Sequence, residues 1–174
     1  MCITIIKQRN AAFCKFSRII SNPVFLCYIC SLKIIYMETK ENEDPIKEAR
    51  RYVANAEEII VRSKYDPETN SYRDKKYVRI AGDTLWKGCL IALDGLLQIK
   101  KGKGRPSIKK YQEAAGKRDK KLLSFINLGY EITHLVMGYD GNKGKKVCDA
   151  GFDYANDIID RCEMLMPTVV AEGR

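Results

Sequence analysis

A single histidine, His134, in 174 residues excludes every site that needs two imidazoles, a zinc finger with a histidine pair among them. Long apolar runs are also missing. A membrane span needs about 20 consecutive apolar residues, and the most apolar stretch near the N-terminus is interrupted by Asn22, Pro23 and Lys33. Pro23 to Leu32 is apolar behind a basic start, but no small-x-small cleavage site follows it, which argues against a secretory signal. Acidic residues are absent from positions 1–36, where Lys7, Arg9, Lys15, Arg18 and Lys33 supply +5 of the chain's net +9. With 45% apolar and 30% charged residues, neither a disordered chain nor a collagen-like fibre fits. A chain of this length buries enough surface to fold without a disulfide or metal.

The composition divides the chain at Met37. Residues 1–36 hold Cys2, Cys14, Cys27 and Cys30, four of the seven cysteines, and read as a basic, Cys-rich apolar extension. The expected reading is that this extension lies upstream of the true start at Met37, whose Glu-Thr-Lys-Glu-Asn-Glu-Asp is an ordinary solvated N-terminus, and that 37–174 is the domain. Cys27 and Cys30 form a CxxC with no second pair and no βαβ setting, so it carries no metal or redox reading. Cys89, Cys148 and Cys162 fall inside helical patterns, where a buried free thiol fits a reducing cytoplasm. No membrane segment is expected in 37–174.

From Met37 on, the hydrophobic period is helical. Asp44-Pro45 is a cap followed by a proline at the first helical position, and Ile46, Ala49, Val53, Ala56 and Ile60 then recur at three and four, which predicts a helix over 45–63. Turn residues fill 65–71. Val78, Ala81, Leu85, Cys89, Ala92, Leu96 and Ile99 mark a long helix over 75–99, and Gly82, Gly88 and Gly95 within it predict close approach of other backbones and a central position. Lys100 to Pro106 breaks that helix, Ser107 caps a short one through Tyr111 and Ala114, and Gly116 is its expected stop. After the Asp119 cap, Leu122, Phe125, Ile126, Gly129, Ile132, Thr133 and Val136 line one face until the Gly138–Gly144 loop. A last helix over 145–166 turns Val147, Gly151, Tyr154, Ile158, Cys162 and Leu165 inward. The fold class predicted is all-α: an antiparallel four-helix bundle with one short extra helix.

Three stretches carry a resemblance: Ala49-Arg50-Arg51-Tyr52-Val53-Ala54-Asn55-Ala56, the run from Tyr77 to Asp94, and Ala150-Gly151-Phe152-Asp153-Tyr154-Ala155. Over about residues 45–165 they resemble HEPN-type helical bundles, and in particular a small uncharacterised bacterial group of that shape. The resemblance implies one of three roles: ribonuclease, partner of a small nucleotidyltransferase in toxin–antitoxin pairs, or inert scaffold. Ribonuclease members carry an Arg, then four to six residues, then a His on one helix. Here only His134 supplies the imidazole, and Asn127, Leu128 and Gly129 occupy the arginine positions. Without a guanidinium to offset charge developing on phosphate, that activity is not expected, and no catalytic residue is assigned.

Other chemistry fares no better. Glu131-x-x-His134 has di-iron spacing, but a second copy is required and no second His exists. On a helical wheel His134 lies about 120° from the buried direction, the place of a boundary residue beside Tyr130. Asp140-Gly141-Asn142-Lys143-Gly144 begins like a calcium loop, but Gly151 stands where a bidentate Glu is needed. Gly138, Gly141 and Gly144 ahead of Lys145-Lys146 lack phosphate-loop spacing and read as a plain helix–helix turn. No cofactor or metal is expected. The remaining lead is charge: residues 100–121 carry a balance of +8, while the rest of 37–174 sums to −4. Lys100, Lys101, Lys103, Arg105, Lys109, Lys110, Lys117 and Arg118 are therefore the candidate residues for binding an anion or an acidic partner. The Asp149, Asp153, Asp157 and Asp160 stripe on the last helix reads as its wet side.

Two functions follow as expectations. The first is a non-enzymatic helical module that associates with itself, as a homodimer, or with a protein encoded beside it. The second is nucleic-acid binding through the basic window, down to a degenerate ribonuclease.

Overall fold

The computed structural model describes residues 44–99 and 104–166. The expectations for 1–36, including the Met37 boundary and the Cys27/Cys30 pair, lie outside these residues.

Asp44 caps the first helix, α1 (Pro45–Val61), by accepting from the Ile46 N–H at 2.9 Å. Every position of the predicted stripe, Ile46, Ala49, Val53, Ala56 and Ile60, is buried. The turn residues that follow close a two-residue antiparallel hairpin, β1 (Tyr65–Asp66) with β2 (Ser71–Tyr72), which the turn chemistry alone did not predict. Buried Ser63 ties the hairpin to the next helix: its hydroxyl donates to the Asp74 carbonyl (2.7 Å) and accepts from the Asp74 N–H (2.9 Å). Asp74 in turn caps α2 (Lys75–Leu97) through the Lys76 N–H.

Helix α2 is the centre. It packs against α1, against the segment 130–139 and against the last helix, and Val78, Ala81, Leu85, Trp86, Cys89, Ala92 and Leu93 are buried around its circumference. Its glycines are close-approach sites within this one chain. A Cβ at Gly88 meets the Ala49 carbonyl oxygen at 3.1 Å, and one at Gly95 meets Pro45 at 2.6 Å. Gly82 faces the segment 130–139.

The short helix α3 (Ile108–Arg118) runs past Gly116, which does not stop it; Asp119 ends it and caps α4 (Lys120–Gly129) by accepting from the Leu122 N–H at 2.6 Å. Beyond Gly129 the chain widens into a ten-residue π-helical segment, Tyr130–Tyr139. Its bonds span five residues, as in Asp140 N–H to Leu135 C=O at 2.8 Å, whereas an α-helix bonds across four. That adds about one residue per turn, so the inward positions step by four from Gly129 to Thr133 and Met137. An α-period predicts Val136 inside. Met137 is there instead, and Val136 is half-buried. Side-chain donors secure both ends of the wider winding: the Thr133 hydroxyl donates to the Gly129 carbonyl (2.6 Å) and Arg79 Nε to the Gly138 carbonyl (3.0 Å).

The last helix, α5 (Lys145–Leu165), begins where the Lys145 N–H donates to the Asn70 carbonyl (3.1 Å) and the Tyr72 N–H to Lys143 (2.8 Å). The turn before it is thereby tied to the hairpin, in keeping with a plain helix–helix connection. Cys148, Ile158 and Cys162 are buried on α5, while Tyr154 is half-buried with Ala155 inside. Asp160 and Glu163 accept from Arg50, joining the outer faces of α5 and α1. Cys89, Cys148 and Cys162 are free thiols, and burial raises all three pKa values, Cys148 to about 11 and Cys162 to about 12. Among the described residues no helix is long and apolar enough to cross a membrane.

The α2 crossing supplies a stability test. A Cβ at Gly82 lies 2.6 Å from the Thr133 carbonyl oxygen and 2.7 Å from the Gly138 nitrogen, both backbone atoms that cannot rotate away. Gly82→Ala should cost about 3 kcal/mol. Gly104→Ala, with nothing within 4 Å of its Cβ, should stay within about 0.5 kcal/mol of the parent. Urea midpoints at constant slope measure both.

Candidate functional site

The described part of the basic window divides between side chains tied to the fold and side chains in solvent. Lys100, Lys101 and Lys103 lie outside the described residues. Arg105 turns toward α2, where its guanidinium reaches the Asp94 carboxylate at 3.3 Å. Arg118 donates to the Leu165 carbonyl at 2.9 Å, a cation serving the C-terminal end of α5. Lys109, Lys110 and Lys117 are exposed on α3, with Lys120 and Lys121 exposed at the start of α4. Two of the five described candidates are therefore anchors of the fold as well as charges.

Arg105 and the first turn of α3 border a cavity of about 250 Å³ whose other walls are Trp86 and Leu90 of α2, Pro106, Ile108, Tyr111, Tyr130 and His134. Three rings form its aromatic side. Trp86 and Tyr130 meet edge-on at 5.3 Å between centroids, Tyr130 and His134 lie at 5.3 Å, and Trp86 and His134 at 6.2 Å. The spacing of four between Tyr130 and His134 places both rings on one side of the π segment, against Trp86. Beneath them, fully buried Tyr111 donates to Asp94 at 2.5 Å; burial first and this carboxylate second push its hydroxyl up to about 12, so it stays protonated. Asp94 thus fastens both Tyr111 and Arg105.

His134 is the boundary residue the wheel indicates, with its side chain 42% exposed. Its surroundings are richer than its own helix suggests. Nδ1 is buried without a hydrogen bond, and the nearest acid is Asp83 on α2, whose Oδ1 lies 3.5 Å away, close enough for an ion pair with an imidazolium but too far for a good hydrogen bond. The cation missing from the positions before His134 is present across the cavity as Arg105. Sequence reasoning missed both because they come from other elements, 51 and 29 positions away in the chain. The pairing signal that existed was aromatic: Trp86 on the flank of α2, with Tyr130 and His134 four apart.

At the far end of α3, Asp119 accepts from Arg161 at 2.6 and 3.1 Å and from the Leu122 N–H, joining α5 to the start of α4. The Arg161 hydrogen bonds, then that N–H, hold its carboxyl at about 2 against an ordinary 3.8. A depressed folded-state value means that the stabilisation is complete above the ordinary value and is lost as pH falls from about 4 to 2. Asp119→Asn should therefore melt lower than the parent at neutral pH, with the two melting temperatures converging between about pH 4 and 2. A gap that persists unchanged to pH 2 would contradict this.

Residues 44–164 match a family described as a domain of unknown function (DUF5618). A solved structure of a protein of unknown function from Dyadobacter fermentans is similar at 41% identity and a TM-score of 0.64, over 70% of this chain and 96% of that one. No curated protein matches the chain.

Proposed function

The chain belongs to the DUF5618 family, and on that premise we propose that it is a non-enzymatic helical interaction module that pairs with a second copy of itself. In this reading α1, α2, α4 with its π continuation, and α5 are the four helices of a HEPN-like antiparallel bundle, and α3 is the short extra one. The central position of α2 and the helix lengths support that assignment.

The observation that carries self-association is an apolar strip along the seam between α2 and the π segment. Ile80 (40% exposed), Leu135 (38%) and Tyr139 (73%) stand there beside the seam contacts of Asp83 with His134 and Gly138. The close-packing glycines of α2 are occupied within the chain, so the strip, and not those glycines, is the pairing surface. The seam is antiparallel: Gly141 approaches Lys75 and Arg79 at one end, and Tyr130 meets Trp86 at the other. Exposed Lys76 marks the first end and exposed Glu131 the second. A two-fold pairing across the strip sets the Lys76 end of one copy against the Glu131 end of the other, which makes the surface self-complementary. The same strip is available to a partner protein encoded nearby. Light scattering over a hundredfold dilution should show a dimer that dissociates on dilution, and Leu135→Glu with Tyr139→Glu should leave a monomer of unchanged melting temperature. A monomeric mass for the parent at every concentration would overturn the reading.

The exposed Lys109, Lys110, Lys117, Lys120 and Lys121 favour a second reading, nucleic-acid binding through the 100–121 window. Binding of labelled single-stranded RNA would have to weaken steeply between low and moderate salt, whereas pairing carried by the apolar strip changes far less.

A further inference from the structure

We propose that the cavity between α2, the Arg105–Pro106 turn, α3 and the π segment is a binding site for a small planar aromatic carboxylate. The site borders the seam of the pairing strip through His134, Tyr130 and Trp86, and the proposal does not depend on that pairing.

The cavity's two chemical halves point to such a ligand. On one side Trp86, Tyr130 and His134 present three rings within 5.3–6.2 Å of one another, a lining that favours a flat apolar group stacked or edge-on. On the other side stands Arg105. Arg105 reaches Asp94 through one nitrogen at 3.3 Å and also bears on the Tyr111 hydroxyl, and its guanidinium carries five N–H donors in a fork that matches a carboxylate. The side chain lines the cavity and is 43% exposed, and five donors exceed what Asp94 and Tyr111 take up.

The backbone adds to the same side. Ile108, a lining residue, is the first residue of α3, whose eleven residues start at the cavity. Ser107 occupies the cap position that the spacing predicts, but its hydroxyl makes no capping bond. The first-turn N–H groups of α3 are thus left uncapped by it next to Arg105, an arrangement that favours a negative group. Size sets the upper limit. About 250 Å³ is smaller than the sites that hold drug-sized molecules, and accommodates one ring system with a short acidic group.

Trp86 is the chain's single tryptophan, so its indole N–H gives one isolated proton–nitrogen resonance that reports on the cavity directly. The full chain is titrated with benzoate, its neutral isostere benzamide, and acetate. For a ligand of this size a Kd of about 1 mM is expected, which sets titrations to roughly 10 mM. Benzoate should shift the indole resonance saturably, benzamide should bind at least tenfold more weakly, and acetate should leave the resonance in place. Arg105→Gln should bring benzoate down to the level of benzamide, and His134→Ala, which removes one ring, should weaken both. No saturable shift with benzoate, or equal affinity for benzoate and benzamide, overturns the proposal. If Arg105→Gln fails to fold, the benzoate-to-benzamide ratio on the parent chain decides alone.

Discussion

The structure depends on one side chain seated between two glycines. Met137, fully buried, lies where Gly82 of α2 and Gly151 of α5 leave space: a Cβ at Gly82 would stand 2.6 Å from Met137 Cβ, and a Cβ at Gly151 would strike its Sδ. Three elements thus close on a single flexible thioether, the side chain best able to fill an irregular gap. Close-packed interiors tolerate no addition at such a point, which is why glycine stands on both sides of it.

Met137 reaches this place only because the chain from Tyr130 to Tyr139 winds with five-residue bonds. The same widening sets the positions that follow. Gly138 comes against Asp83, the Gly138 carbonyl is served by Arg79, and His134 is carried onto Trp86 with its Nδ1 edge toward Asp83. Long π stretches are rare and often mark functional places. Here the wide winding builds one wall of the aromatic cavity and also exposes Leu135 and Tyr139 on its outer side. Stability, cavity and candidate pairing surface share one departure from the α-helix.

The sequence makes much of the fold legible. Residues that pack on a regular helix announce themselves by spacing, so the buried stripe of α1 and that of α2 as far as Leu96 are read correctly, with Ile99 half-buried beyond the helix end. Gly82 and Gly88 signal backbone contact, while Gly95 meets the Pro45 ring and the Met166 side chain. What fails does so for local reasons. The hairpin strands are two residues each, too short for alternation to register. Gly116 does not end α3, because Asp119 takes the extended conformation that stops the helix. Val136 is misplaced because a wheel drawn at the α-period has no term for a π turn, which tertiary packing selects. The cavity is least legible of all: Trp86, Arg105 and His134 are far apart in sequence, and Arg105 reads as one more member of a basic run until its tie to Asp94 separates it from the solvated lysines.

The winding at Met137 is most directly tested by comparing two truncations one residue apart. Thermodynamic stability is measured by urea unfolding for Met137→Ala and Val136→Ala. The π register predicts a loss of about 3 kcal/mol for Met137→Ala, a buried side chain removed from the core, and less than about 1 kcal/mol for Val136→Ala at its half-buried position. The reverse order, with Val136→Ala the costly change, would mean that the segment winds as an ordinary α-helix.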